Sequence, residues 1–147
     1  MWPPLQETQT MMRERTLLER LADPRPDHPL TIAENTQQLA DSILRHLRKM
    51  LNTRQGHVLT QPEYGMPDVT EFIQSLPDMV DAVQRGIRNS IEKFEPRLRN
   101  VTVTYAPSDD RMNVRFEITG ELVTEKEEAS VWFETAVSPS GHIEVKG

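Results

Sequence analysis

The chain has 147 residues, 36% of them apolar, with 11 prolines and a formal charge of −6 at neutral pH. That length suits one domain with one core, and the acidic balance argues against nucleic-acid binding by general phosphate attraction. No cysteine is present, which excludes disulfides, thiolate nucleophiles and zinc–thiolate sites.

The charge is unevenly spread. Residues 1–100 carry 13 Lys and Arg against 14 Asp and Glu, whereas residues 101–147 carry 4 against 9. No run approaches the roughly 20 apolar residues that span a bilayer. Met1-Trp2-Pro3-Pro4 also lacks the basic start and apolar run of a secretory signal. The expectation is a soluble protein of the cytoplasm.

Residues 1–10 are polar, with two prolines, and are expected to be mobile. Met11 to Leu21 suits a short helix with Met11, Leu17, Leu18 and Leu21 as its apolar residues. Pro24, Pro26 and Pro29 then force an extended path. Whether this first helix joins the core or serves as a docking arm stays open, because both uses need the same apolar stripe. The expected organisation is a mobile arm with a short helix over residues 1–30 and a single α+β domain over 31–147.

Ile32 to Leu51 predicts a long helix, since Leu39, Ile43, Leu47 and Met50 or Leu51 share one face. Thr31 or Asn35 is its expected cap, and Arg45, His46, Arg48 and Lys49 read either as a solvated face that complements the helix dipole or as a basic patch facing a partner. Asn52-Thr53-Arg54-Gln55-Gly56 and Tyr64-Gly65-Met66-Pro67-Asp68 are turn-rich, with a short extended piece expected at Val58 and Leu59 between them. A brief helix is expected over Val69 to Leu76. A longer one follows, in which Met79, Val80, Val83, Ile87, Ile91 and Phe94 recur at three- and four-residue steps. Asp78 is its expected cap, and Pro96 should stop it near Glu95.

From Val101 the period changes to two. Val101 to Tyr105, then Met112 to Thr119, then Val131 to Val137 and His142 to Lys146 read as strands joined by turns at Pro107–Asp110 and Ser138–Gly141. Glu121 to Glu128 reads as an acidic loop or a hairpin tip. The predicted fold is α+β, with N-terminal helices packed on a small antiparallel sheet of three to four strands.

Candidate chemistry is sparse. His28, His46, His57 and His142 fall on four separate elements, without metal-ligand spacing, and read as isolated surface or turn histidines. No phosphate-cradling loop or nucleophile elbow is present. No cofactor and no metal is expected. Glu125, Glu127 and Glu128 read as a solvated loop, whereas a catalytic acid needs burial to raise its pKa. Glu95 and Arg97, two residues apart, are the pair most open to a specific role. They read either as an exposed ion pair or as a partly buried site completed by another subunit.

Three segments taken together, Asn52-Thr53-Arg54-Gln55-Gly56, Tyr64-Gly65-Met66-Pro67-Asp68 and Glu95-Pro96-Arg97-Leu98, resemble the TssE family of type VI secretion baseplates. That family is related to the gene-25 wedge protein of contractile-tailed phages. Leu17–Leu21 and Ser42–Leu47 match the same pattern, and the resemblance covers roughly residues 15–146. It implies a non-enzymatic wedge component beside TssF, TssG and TssK that starts polymerisation of the TssB and TssC sheath, at the cytoplasmic face of the inner membrane. It also implies that Glu95, Pro96 and Arg97 form a wedge contact. Arg54 and Tyr64 join them as partner-binding residues, and Ile143 and Val145 as the main-chain edge for strand addition. Two other readings stand beside it: a peptidoglycan-hydrolysing, lysozyme-like enzyme, as some phage relatives have been described, and a small intracellular adaptor that blocks a partner. Nucleic-acid binding and membrane insertion are not expected.

Overall fold

The computed structural model describes residues 17–22, 36–68, 75–109, 112–124 and 128–147. Helix α1 spans Leu17–Ala22, α2 Thr36–Leu51 and α3 Leu76–Phe94. Strands β1 (Leu98–Ala106), β2 (Val114–Leu122), β3 (Ala129–Val137) and β4 (Ile143–Lys146) follow. The sheet is antiparallel, in the order β1-β2-β3-β4, so each strand lies beside its chain neighbour. The α+β expectation holds. The caps expected at Thr31 or Asn35, the start of the helix expected from Ile32, the proline-rich link and most of the helix expected over Val69 to Leu76 lie outside the described residues.

Both long helices cover one face of the sheet, α3 over β1 and α2 over β4. Leu39, Ile43, Leu47 and Met50 of α2 and Val83, Ile87 and Ile91 of α3 face Phe116, Ile118, Phe133, Ile143 and Val145 across the core. These are the residues picked out by helical and strand periodicity, and their burial supplies the main driving force of the fold. Leu18 and Leu21 of α1 are exposed. No described helix is long and apolar enough to cross a membrane.

Four local expectations change. The cap of α3 is Ser75 rather than Asp78: its Oγ accepts the Asp78 N–H at 3.4 Å and donates to the Asp78 carboxylate at 2.5 Å. Pro77 lies within the first turn, where its missing N–H costs nothing. Val58 and Leu59 sit in consecutive turns instead of an extended piece, with Leu59 fully open to solvent. Met112 falls outside β2 and is exposed. In β1, Leu98 is buried along with Val101 and Val103, against a strict period of two. The register shift between Arg99 and Thr102 explains this: Asn100 and Val101 together oppose Gly120, which makes a bulge. Asn100 takes φ 50°, a left-handed conformation that Asn tolerates, and its Nδ2 donates to Glu121 at 2.7 Å.

Candidate partner-binding site

Helix α3 ends at Phe94 and delivers the residue that follows, its C-cap Glu95, into the core. The Glu95 N–H donates to Ile91 O at 2.8 Å and the Leu98 N–H to Glu95 O at 3.1 Å, so the chain turns tightly around Pro96 and enters β1. This turn buries Glu95 at 1% exposure and folds Arg97 back over it. Arg97 grips the carboxylate twice, Nε to Oε1 at 2.8 Å and Nη2 to Oε2 at 2.9 Å. Its backbone N–H adds a weaker bond to Oε1 at 3.3 Å. A planar guanidinium suits this fork, and an ammonium would not.

Helix α2 completes the cluster. Arg97 Nη1 donates to Ser42 Oγ at 2.8 Å, and His46 Nδ1 bonds Glu95 Oε2 at 2.7 Å. On its other side His46 Nε2 shares a hydrogen bond of 3.1 Å with the Tyr64 hydroxyl. Both ring nitrogens of His46 are thus engaged, one by the carboxylate and one by the phenol, and the tautomer sets which atom donates in each bond. Tyr64 packs edge-on against Phe94 at 5.2 Å between centroids. Burial would push the Glu95 carboxyl up, but the hydrogen bonds and charges of Arg97 and His46 outweigh it and hold the group below its ordinary value. Burial, and then the Glu95 charge, push Tyr64 up.

The pair is therefore not a solvent-exposed one: the chain's own Arg97, His46 and Ser42 enclose it. Glu95 is also the one buried carboxylate among the described residues. With a lowered pKa and both oxygens engaged it has no proton to give at neutral pH, so it is unsuited to act as a general acid. Among the described residues no group of acidic or histidine side chains is placed to hold a metal ion.

The other nominated residues fall in two places. Tyr64 joins the cluster through His46, and Pro96 is exposed on its rim. Arg54 stands apart in a solvent-facing pair with Asp68 at 3.4 Å. Its loop is pinned to the other turn-rich segment: the Gln55 N–H donates to Met66 O at 2.9 Å and the Met66 N–H to Thr53 O at 2.8 Å. Gly65 lies at φ 101°, where a Cβ would sit 2.1 Å from Thr53 O. Ser90 Oγ donates to Gly65 O at 2.8 Å and ties this loop to α3. Ile143 and Val145 lie on the far side of the sheet, in edge strand β4, with their side chains buried.

His46 and Ser42 escaped the sequence reading. His46 was expected on the solvated face of α2, yet it turns toward Glu95. The available signal was positional: Ser42 and His46 are one turn apart and flank the Leu39–Ile43–Leu47 stripe. Arg48 and Asn52 were missed as well. Arg48 Nε donates to Val145 O at 2.9 Å, and Asn52 Nδ2 donates to Ile143 O at 2.7 Å.

A family model described as baseplate wedge protein gp25 matches residues 37–127. No curated protein sequence matches the chain. A solved chain described as belonging to "The baseplate complex from the type VI secretion system" is 23% identical, covers 69% of this chain and 96% of its own length, and superposes with a TM-score of 0.54. At that identity the likeness is one of fold. The family match takes in α3, β1, β2 and the whole Glu95 cluster, well over half of the chain, and the chain therefore belongs to the baseplate wedge protein gp25 family.

Proposed function

We propose that this chain is a structural wedge subunit of a type VI secretion baseplate, acting in the cytoplasm at the inner-membrane face and without catalytic turnover. The family match over residues 37–127 carries the reading, and the fold shared with a type VI baseplate chain supports it. Wedge partners TssF, TssG and TssK are proposed to contact the rim of the Glu95 cluster, through exposed Pro96, the outer edge of Arg97 and Tyr64, and separately the exposed Arg54 on its own loop. The cluster's role is to hold that rim rigid, since an over-determined junction presents its contact surface without prior ordering. Sheath subunits TssB and TssC are proposed to start from strand addition at β4, beside Ile143 and Val145.

The test is affinity purification of the tagged chain from cells expressing the complete secretion cluster, with partners identified by mass spectrometry. Wedge and sheath subunits should co-purify. A fluorescent sheath subunit should form no sheath in cells carrying Val145→Pro, while the purified variant keeps its circular dichroism spectrum. Recovery of a single unrelated target would favour the adaptor reading. Release of peptidoglycan fragments by the purified protein, lost on one carboxylate substitution, would overturn the non-catalytic reading.

A further inference from the structure

Strand β4 borders the sheet, and three of the main-chain groups that Ile143 and Val145 turn outward are held by side chains. In an antiparallel ladder alternate residues point their main chain to opposite sides. Ser138 N–H donates to His142 O at 2.9 Å, so the even-numbered positions of this hairpin face β3 and the main chains of Ile143 and Val145 face away. Helix α2 reaches across to them. The Asn52 carboxamide donates from Nδ2 to Ile143 O at 2.7 Å and accepts the Ile143 N–H at Oδ1 at 2.9 Å. That pair of bonds is what a residue of a neighbouring strand would make with Ile143. A further bond from Nδ2 to Arg48 O at 2.8 Å anchors the side chain to the helix end. Arg48 Nε takes Val145 O at 2.9 Å.

The strand these side chains cover is suited to pair with itself. If two copies of β4 met antiparallel about Val145, Val145 would oppose its own copy and Ile143 would oppose Gly147 of the other strand. In that register Glu144 of one copy faces Lys146 of the other. Charges that discourage foreign strands would thus favour a second copy of the same chain. We infer that Asn52 and Arg48 form a side-chain guard which occupies the β4 edge and keeps two copies of this protein from pairing edge to edge. The guard works by competition: each main-chain group held by α2 must be released before another strand takes it. This assigns a task to the first residue of the Asn52–Gly56 segment, and it does not depend on the assembly reading.

The experiment is sedimentation equilibrium of the full chain. Wild type should be monomeric. The double variant Asn52→Ala/Arg48→Met should keep its circular dichroism spectrum and self-associate at least about tenfold more tightly. Adding Lys146→Glu, which sets like charges opposite Glu144, should restore the monomer. A folded double variant that stays monomeric overturns the inference, and so does a dimer indifferent to Lys146→Glu. If the double variant fails to fold, Asn52→Ala alone decides by the same two criteria, because Asn52 is exposed and its loss releases both main-chain groups of Ile143.

Discussion

At the residue scale the informative contrast lies between what surrounds Glu95 and what surrounds the surface ion pairs. Arg88 with Glu92 and Arg115 with Glu134 are at ordinary bonding distances, yet both sit in solvent. Such pairs are worth about 0–1 kcal/mol. Glu95 has surrendered its hydration to Arg97, and breaking a buried pair by removing one partner costs roughly 3–5 kcal/mol. Arg97→Ala is therefore expected to lower the isolated subunit's unfolding free energy by that order, checked by denaturant titration. A loss within about 1 kcal/mol would put the pair with the surface bridges. The pH dependence follows from the lowered pKa. With the folded value below the ordinary 4.5, the unfolded chain takes up the proton first. The stabilisation is complete above that value and is withdrawn as pH falls through the folded one. Glu95→Gln should accordingly flatten the acid limb of a stability–pH profile below about pH 4.5, although the variant is weaker at neutral pH. Opposite charges two residues apart were legible in the sequence, but His46 was not. Its inward turn depends on where the α3–β1 junction lands against α2, a contact 49 residues away in the chain.

At the element scale, local chemistry sets boundaries and the core sets everything else. Pro96 ends α3 as expected, but the start of the helix depended on which of two oxygens reached the free N–H groups. Asp78 is already inside the first turn, so the residue before the helix, Ser75, caps it. Ser75→Ala should cost about 1 kcal/mol, measured as a shift in the denaturation midpoint at unchanged slope. The β1 strand teaches a complementary point. Val101 and Val103 announced the strand by alternation, while Leu98 broke parity and was left out of it. Only the pairing with β2 reveals the extra residue at Asn100 that returns Leu98 to the inner face.

For the molecule as a whole, the two-layer plan was readable because helical and alternating periods occupy separate halves of the chain. The order of the strands followed from short connections. How the two layers are tied together was not readable, because ties such as Gln84 Nε2 to Val103 O at 2.6 Å are single polar contacts without a periodic signature. The loop between α2 and α3 is one of these ties, held through Gly65. Gly65→Ala would need both a disfavoured φ and a Cβ inside contact distance of Thr53 O. It should cost more than the roughly 1–3 kcal/mol of a strained backbone alone, read as a lower melting temperature and less soluble protein.

The bonds from Arg48 and Asn52 to β4 also set an order of events in time. They join residues 97 and 91 positions apart, the widest separations among the side-chain bonds described above. Closing so long a loop is entropically costly and is rewarded only after the nearer hairpins exist. These contacts should therefore form after the rate-limiting barrier has been crossed. In stopped-flow kinetics Arg48→Met should leave the refolding rate nearly unchanged and place its whole effect on the unfolding rate. The last strand to dock would then be the first to leave, and the lifetime of its attachment, more than the stability of the core, would set how often the sheet's border opens.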